Sequence, residues 1–360
     1  MLNANASGAT ARRIVRTGVA IMVAAGMLAA AGCSARGSET GASSDASTTV
    51  KKFAIVTPEK EADHGWNQQG IWAAKDVATS LDIELDDNSN VGYDNTETIL
   101  TQVADNGNDF IIAHASGFAT VAARVAEATG VPTLVVDYEK NIPGTVASVT
   151  TEAQQGAYLA GVVAAKSTTT QKVGIVVSAE DLNWFRMSGG FAEGVYSVDP
   201  SIEVTIAYIG PAEYGDSAGG KNQASVLIAG GADVIIGMGD GATVGYLQAV
   251  ETAPNVKYIA TIGDVSEAVT NPDTVLTTVQ WNFADTFTQA IKDVEDGSFG
   301  TATYSLTVEN KGLTLQETDA FTDDITAAVK QATEDIASGK VTVTRATTKD
   351  QVQSIIDAKK

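Results

Sequence analysis

Short apolar runs alternate with longer amphipathic runs along almost all of the chain after residue 52. The short runs are rich in valine and isoleucine, which is typical of buried strands, and the longer runs have the length of helices. Strands that alternate with helices form βαβ units, in which neighbouring strands run parallel and helices cover the sheet. The pattern therefore predicts an α/β protein built on parallel sheets.

The alternation occurs in two series. The first predicts strands at 53–57, 83–85, 110–113, 133–136 and 145–149, with helices at 67–80, 96–106 and 118–129. The second predicts strands at 172–177, 203–209, 233–237, 258–262 and 275–279, with helices at 152–166, 186–198, 217–229, 243–252 and 282–295. Because the series have comparable length, they predict two similar lobes. A hairpin at 303–314, a helix at 323–338 and a polar tail are predicted to follow.

Polar and aromatic residues follow several of the predicted strands. In parallel α/β sheets, ligands bind outside the carboxyl ends of the strands. The candidate loops are 59–67, 114–118, 137–138, 178–185, 213–216, 239–240 and the position of Asp264. Two series of such loops facing one cleft would make a clamshell around a small molecule.

The N-terminal segment has the composition of an export signal. Arg12, Arg13 and Arg16 precede an apolar run at 18–31, and no acidic residue interrupts the segment. This run is too short to span a bilayer as a stable helix, but it has the length of the apolar core of a signal peptide. The Arg12-Arg13 pair also leaves a twin-arginine signal as an alternative.

Cys33 is the single cysteine of the chain, and small residues precede it. This arrangement resembles the lipobox of bacterial lipoproteins, in which the cysteine becomes the acylated N-terminus of the mature protein. Residues 1–32 would then be a signal peptide, and 33–50 an acylated cysteine with a flexible tether rich in Ser, Thr, Gly and Ala. The alternative is a simple secretory signal with an incidental cysteine.

Charge and composition exclude several classes of function. The chain has 23 Lys plus Arg against 44 Asp plus Glu, a formal net charge of −21. That balance leaves no basic stripe, so electrostatic binding to nucleic acid is nearly excluded. A single cysteine excludes both an internal disulfide framework and a zinc site built on several thiolates.

Six short motifs occur in order between about residues 50 and 345. They are Asp63-His64-Gly65-Trp66-Asn67-Gln68, Gln155-Gly156-Ala157-Tyr158-Leu159-Ala160-Gly161, Gly189-Gly190-Phe191-Ala192-Glu193-Gly194-Val195, Gly231-Ala232-Asp233-Val234-Ile235, Ile262-Gly263-Asp264 and Ile336-Ala337-Ser338-Gly339-Lys340. In this order and spacing they resemble the basic membrane protein family of substrate-binding lipoproteins, which includes purine nucleoside receptors of ABC transporters. The segment at Cys33 supports the resemblance independently.

The resemblance implies a type I periplasmic-binding-protein fold, with two doubly wound parallel-sheet lobes joined by crossover strands. Lobe 1 would comprise 51–150 with about 274–300. Lobe 2 would comprise 151–273 with about 301–345, and 346–360 would be a C-terminal tail.

The resemblance also implies roles for individual residues. Trp66 would stack on a purine, its neighbour Asn67 would be a polar contact, and Asp264 would accept ribose hydroxyls. Gln280 stands where the family often has a lysine, and Ser116 stands where it usually has an acid.

The residues themselves suggest further contacts, each with a purely structural alternative. Trp184, Tyr214 and Trp281 are aromatic candidates for a flat ligand, and Asp63, Asp137 and Asp240 are candidate acceptors for hydroxyls. Trp66 could instead staple its helix, Asn67 could cap it, and Asp63 could be a solvated loop acid. Trp184 could belong to the core of its lobe.

Three further motifs formally fit other chemistries. The segment 237–242 matches a dinucleotide fingerprint, but it lies in the second series of an exported chain. The loop 86–97 has the acid spacing of a calcium loop, but Val91 occupies the glycine position. Asp63, His64 and Ser116 could suggest a hydrolase, but no Gly-x-Ser-x-Gly elbow surrounds the serine. We therefore expect no catalytic residue, cofactor or metal.

Together these features predict a lipid-anchored receptor on the extracytoplasmic face of the membrane, which delivers a purine nucleoside or nucleobase to an ABC permease. A receptor for a simple sugar or polyol with the same fold is the first alternative. An exported nucleoside-processing enzyme is the alternative of another class.

Overall fold

Two six-stranded sheets carry the fold, and all but one of their strand pairings are parallel. The computed structural model of the protein describes residues 49–358. The predicted signal peptide, Cys33 and most of the predicted tether lie outside these residues.

The first sheet has the strand order β11-β5-β4-β3-β1-β2. Its strands are β1 (Lys52–Val56), β2 (Glu84–Asn88), β3 (Phe110–Ala113), β4 (Thr133–Val136), β5 (Val146–Thr151) and β11 (Tyr304–Leu306). The helices between its first strands are α1 (Trp66–Leu81), α2 (Thr96–Asp105) and α3 (Ala119–Thr129). Strands β3 and β4 are buried along their whole length, as expected of a parallel sheet covered on both faces.

The second sheet repeats the arrangement, with the order β12-β10-β9-β8-β6-β7. Its strands are β6 (Lys172–Val177), β7 (Glu203–Tyr208), β8 (Val234–Met238), β9 (Lys257–Ile262), β10 (Val275–Trp281) and β12 (Leu313–Leu315). The remaining helices are α4 (Ala153–Ser167), α5 (Leu182–Val198), α6 (Ser217–Ala229), α7 (Thr243–Glu251), α8 (Ala284–Glu295), α9 (Asp323–Ala337) and α10 (Lys349–Asp357). The doubly wound two-lobe α/β prediction is therefore confirmed.

The predicted hairpin at 303–314 is wrong. Strand β11 joins the first sheet, where it pairs parallel with β5. Strand β12 joins the second sheet, where it pairs antiparallel with β10. The turn around Asn310 and Gly312 therefore carries the chain from one lobe to the other, because the two strands find their partners in different sheets rather than in each other.

The lobe boundaries also differ from those the resemblance implied. Strand β10 pairs parallel with β9, so 275–281 lies in the second sheet rather than with lobe 1. Helix α8 then packs against α1 and β11 of the first lobe. Strand β11, which the resemblance places in lobe 2, lies in the first sheet.

The C-terminal segment is not a tail throughout. Thr348 caps helix α10 by accepting a hydrogen bond from the Gln351 N–H. The helix buries Val352 and Ile356 and packs against α5 of the second lobe. The sequence of this helix is polar on its exposed face, which is why the segment resembles a solvated tail.

Helices α4 and α5 approach each other through glycines. A Cβ at Gly161 would lie 2.2 Å from the Phe191 carbonyl oxygen, and one at Gly194 would lie 2.1 Å from the Tyr158 carbonyl oxygen. Two glycine-bearing motifs of the sequence therefore meet at one helix interface, and α4 also packs against β10 and β12 of the second sheet. Within residues 49–358, no helix has both the length and the apolar character needed to cross a bilayer.

Candidate functional site

A cavity of about 350 Å³ lies between the two lobes, at the carboxyl ends of strands from both sheets. It is lined by Pro58, Glu59, Trp66, Asn67, Tyr93, Ala115, Ser116, Gly117, Asp137, Asp181, Asn183, Trp184, Tyr214, Asp240, Ile262 and Trp281. The lining therefore draws on loops that follow β1, β2, β3 and β4 in the first sheet and β6, β7 and β8 in the second. This is the placement that the rule for parallel α/β sheets predicts.

Trp66 is the first residue of α1, and aromatic rings hold its half-buried indole on several sides. One face stacks on the His114 imidazole, with ring centroids 4.6 Å apart. Trp281 and Phe283 meet the indole edge-on at 5.8 and 5.7 Å. The indole Nε1 donates a hydrogen bond of 2.9 Å to the His114 carbonyl oxygen. A ligand that stacks on Trp66 therefore has only the other face available.

His114 packs against one face of the Trp66 indole. The side chain is fully buried, and its Nε2 donates a hydrogen bond of 2.9 Å to the Trp66 carbonyl oxygen. Burial lowers the pKa of His114 to about 4, so the ring is neutral at physiological pH. Gly70 makes room for it, because a Cβ at that position would lie 2.4 Å from the imidazole Nε2.

The second lobe contributes its own aromatic pair. Trp184 lies in the first turn of α5, and its ring centroid lies 4.8 Å from that of Tyr214. The Asp181 carboxylate caps α5 by accepting from the Asn183 N–H. The neighbouring Tyr214 hydroxyl acts to lower the pKa of Asp181, against the larger effect of burial. Although Trp184 is only 4% exposed, it lines the cavity as well as belonging to the core of its lobe.

Tyr93 lines the cavity from the loop after β2 and is 58% exposed. It lies over Gly117, where a Cβ would come within 2.3 Å of its ring, and it also contacts the Phe118 ring. Glycine is therefore required at position 117 for the tyrosine to lie across this part of the cavity.

Two carboxylates of the cavity bridge the lobes. Asp137 follows β4 with a φ of 62°, and its two oxygens accept hydrogen bonds of 3.0 and 2.9 Å from the Asn183 amide. Asp240 follows β8 and accepts a hydrogen bond of 3.3 Å from the backbone N–H of Trp66. Gly65 permits this approach, because a Cβ there would lie 2.7 Å from the Asp240 Oδ1.

The same carboxyls have perturbed acidity. Burial, and then the nearby charge of Asp181, raise the pKa of Asp137 to about 7, although Asn183 and Arg186 act against the shift. Burial and the Asp63 carboxylate raise the pKa of Asp240 well above its ordinary value. Burial also raises the pKa of Asp181. The three raised pKa values have one cause in common, because the buried cavity disfavours further negative charge.

Eight of the sequence-predicted contacts line this cavity. They are Trp66, Asn67, Ser116, Asp137, Trp184, Tyr214, Asp240 and Trp281. The Asn67 side chain is already engaged, since its Oδ1 accepts from the Glu59 N–H and its Nδ2 donates to Asp63. Its role toward a ligand and its role at the start of α1 therefore compete for the same atoms.

Three predicted contacts do not line the cavity. Asp63 is buried and caps α1, because its carboxylate accepts from the backbone N–H groups of Gly65, Asn67 and Gln68. Asp264 accepts from the Ser266 N–H, and its own N–H donates to the Gln68 side chain across the lobes. The Gln280 side chain lies 3.5 Å from the Thr314 hydroxyl. The roles expected of these three residues have no counterpart in the cavity lining.

Four polar or aromatic lining residues are not among the contacts that the sequence predicts. Glu59, Asp181 and Asn183 lie in strand-end loops that the sequence identifies, so the signal for them was position rather than residue type. Tyr93 lies in the loop after β2, and the same positional rule would have included it. Among residues 49–358 there is no cluster of three or more His, Cys, Asp or Glu side chains arranged to hold a metal ion.

The fold and the position of the cavity define a class of protein, the two-lobed solute-binding proteins. The solved structure of an ABC transporter solute-binding protein from Conexibacter woesei DSM 14684 superposes with a TM-score of 0.71. The alignment covers 82% of this chain and 99% of that one at 23% sequence identity, which supports the shared fold.

Within that class, the chain belongs to the family of PnrA-like ABC transporter substrate-binding proteins, whose profile matches residues 50–347. This confirms the resemblance carried by the six motifs. The ABC transporter nucleoside-binding protein BmpA of Lactococcus lactis subsp. cremoris (strain MG1363) is 32% identical over 226 residues, which are 58% of this chain and 62% of that protein. Basic membrane protein A2 of Borrelia garinii subsp. bavariensis is 26% identical over 68% of this chain and 71% of that protein. The chain thus spans about three fifths of the Lactococcus relative.

Proposed function

We propose that the protein is the receptor of an ABC importer and that its cavity binds a purine nucleoside or a related nucleobase. The observation that carries the proposal is that aromatic side chains of both lobes line one cavity together with hydrogen-bonding carboxylates. The Lactococcus relative named as a nucleoside-binding protein supports the same substrate class.

The cavity offers each part of a nucleoside a suitable surface. Indole and phenol rings provide flat apolar faces for a base, and the face of Trp66 opposite His114 is the candidate platform. Carboxylates such as Asp137 and Asp181 accept hydrogen bonds from ribose hydroxyls, and Ser116 can donate or accept. Ligand contacts to both lobes would favour the closed arrangement, which the permease would recognise. No bond-breaking step is part of this proposal.

Ligand-dependent thermal unfolding tests the substrate class. Adenosine, guanosine and inosine should raise the melting temperature, whereas ribose and arabinose should not. A ligand at about 100 times its Kd stabilises the folded state by roughly 2.7 kcal/mol, which is readily measured. If the pentoses stabilise the protein and the nucleosides do not, the nucleoside proposal is wrong and the sugar-receptor alternative replaces it.

We propose further that Cys33 is acylated and holds the protein on the extracytoplasmic face of the membrane. Several acyl chains anchor a protein stably, because each buried CH₂ contributes about 0.8 kcal/mol. Cys33→Ser should therefore move the protein from the detergent phase to the aqueous phase in a detergent-partition experiment, with Ser34→Ala as the control. Retention of Cys33→Ser in the detergent phase would contradict acylation at this residue.

A further inference from the structure

The cavity between the lobes carries negative charge that no lining side chain balances. Glu59 and Asp137 line it from the first lobe, and Asp181 and Asp240 line it from the second. Within residues 49–358, no Lys, Arg or His side chain contributes to the lining of this cavity. Ionised carboxyls around one small volume repel each other unless a bound group supplies positive charge.

Arg186 does not supply this balance to a ligand. Its charge acts on Asp137 and Asp181, but it lies outside the cavity lining. Its Nη1 is used within the protein, where it donates to the Thr151 carbonyl oxygen and the Asn183 side chain. The positive charge that would complement the acids inside the cavity must therefore come from the ligand or from protons.

The aromatic walls favour the ligand as the source. The rings of Trp66, Tyr93, Trp184, Tyr214 and Trp281 all line the cavity. The face of such a ring attracts a cation, and the attraction is stronger when the cation is out of water. Aromatic faces and carboxylates around one cavity therefore select for a flat group that carries positive charge.

One buried donor on a residue that lines the cavity has no partner. Trp281 is fully buried, and its Nε1 makes no hydrogen bond with any group among the described residues. Because a buried N–H without a partner is costly, this donor points to an acceptor atom on the ligand. The ligand thus needs an acceptor as well as a charge.

We propose that the cavity selects a cationic form of the proposed ligand, a nucleoside or related heterocycle whose flat ring carries a positive charge and also presents a hydrogen-bond acceptor. This inference rests on the proposed function for the nucleoside part, but the charge preference can be tested without it.

Binding of a cation should release protons from the cavity carboxyls, which binding of a neutral ligand of the same shape would not do. Asp240 faces the carboxyls of Asp63, Glu59 and Asp181, and Asp137 faces Asp181 and Arg186. The phenols of Tyr93, Tyr214 and Tyr246 also lie near Asp240. The raised pKa values of Asp137 and Asp240 mean that part of this charge is neutralised by protons near neutral pH. A cation that enters displaces those protons, so its affinity should increase as the pH rises from about 6 to about 8. A neutral ligand has no such advantage.

The test compares two pairs of ligands that differ in charge, of which the first pair are isomers. 1-Methyladenosine is cationic at about pH 7, and its isomer N6-methyladenosine is neutral. 1-Methylnicotinamide carries a permanent charge, and nicotinamide is its neutral counterpart without a ribose. Titration calorimetry should show that the cation of a pair binds about tenfold or more tightly than the neutral member, and added salt should weaken only the cation. The nicotinamide pair is also titrated from about pH 6 to about pH 8.

A charge variant locates the preference in the cavity. Asp137→Asn should weaken binding of the cation about tenfold more than it weakens binding of N6-methyladenosine, whose ribose loses the same acceptor, whereas Asp76→Asn, on the exposed side of α1, should change neither. If the neutral isomer binds as tightly as the cation, or only N6-methyladenosine and adenosine bind, the charge inference is overturned and the nucleoside proposal stands. If no nucleoside binds, the nucleoside proposal fails and the nicotinamide pair decides the charge inference. Equal binding of that pair, or no binding of either member, overturns it.

Discussion

Trp66 is the residue on which the aromatic contacts of the site converge. His114 stacks on one face, and Trp281 and Phe283 make T-shaped contacts with the indole. The indole Nε1 donates to the His114 carbonyl oxygen, and the His114 Nε2 donates to the Trp66 carbonyl oxygen. The sequence motif predicts an aromatic platform at this position but contains nothing about the imidazole behind it. That support fixes the height and tilt of the indole, which a stacking surface requires.

We expect Trp66→Ala to lower ligand affinity about 10- to 300-fold. Loss of a stacking pair costs roughly 0.5–1.5 kcal/mol, loss of apolar burial adds about 1–2 kcal/mol, and 1.4 kcal/mol corresponds to about tenfold. Trp66→Phe should recover most of the affinity. Trp72→Ala is the matched control, because Trp72 lies on the same helix, is 36% exposed and does not line the cavity. If calorimetry finds wild-type affinity in folded Trp66→Ala, the indole has only a structural role at the start of its helix and is not a ligand contact.

Asp63 has a capping role in the structure, which leads to a different expectation. Its carboxylate accepts three backbone N–H groups at the start of α1 and the Asn67 side chain. Asp63→Ala should therefore lower the free energy of unfolding by about 2–4 kcal/mol, since several buried donors lose their acceptor. Asp76→Ala on the exposed side of the same helix should change it by less than about 0.5 kcal/mol. Chemical denaturation measures the free energy of unfolding of both variants. If Asp63→Ala is as stable as wild type but has lost ligand affinity, Asp63 is a ligand contact and not a cap.

At the scale of elements, helices α4 and α5 pack closely against each other. Their approach depends on Gly161, Gly190 and Gly194, whose missing side chains leave room for backbone carbonyls of the facing helix. Helix α5 begins at the cavity with Asp181, Asn183 and Trp184, so the position of this interface sets the position of the second aromatic wall. The glycine motifs of the sequence are therefore packing motifs that determine where the site lies.

We expect Gly194→Ala to destabilise the protein by about 1–3 kcal/mol or more, because the added Cβ would lie 2.1 Å from the Tyr158 carbonyl oxygen. Gly215→Ala is the control, since a Cβ there meets no atom within 4 Å. Urea unfolding of the two variants distinguishes steric overlap from a general effect of losing a glycine. Equal stability of both variants would show that the two helices can separate without cost.

At the scale of the whole molecule, hydrogen bonds across the cleft connect the lobes directly. Asn183 bonds to Asp137, the Trp66 N–H bonds to Asp240, and the Asp264 N–H bonds to Gln68. Two of these bridges use the carboxyls whose pKa values are raised, so the stability of the whole molecule should respond to pH near neutrality.

We expect Asp137 to make thermal stability decline as the pH rises from about 4 to about 7, against an opposite contribution from His114, whose lowered pKa favours folding as the pH rises. The pKa of Asp137 increases from 3.8 to about 7 on folding, so the folded state holds this proton more tightly than the unfolded state. The stabilising contribution is complete below pH 4 and is lost as the pH rises through 7. Asp137→Asn should flatten this part of the profile of melting temperature against pH, and Asp76→Asn should not. An identical slope in wild type and Asp137→Asn would exclude Asp137 as the source.

The sequence by itself determined the two-lobe α/β architecture, the edge of each sheet that carries the site, and the family. These follow from local patterns, because the alternation of strands and helices fixes the fold class and the carboxyl ends of parallel strands fix the ligand edge. Trp66, Trp184 and Tyr214 were predicted as candidates on that basis, and all three line the cavity, although contact with a ligand remains a prediction.

Only the tertiary structure decided which strand-end residues face the cavity and what their side chains already bind. Asp63 and Asp240 are both acids that follow buried strands, yet one caps a helix and the other faces the cavity. Strands β11 and β12 lie seven residues apart in sequence and join different sheets. The physical reason is the same in each case, since hydrogen-bond partners distant in the chain, rather than local propensity, determine where a carboxylate or a short strand is most stable.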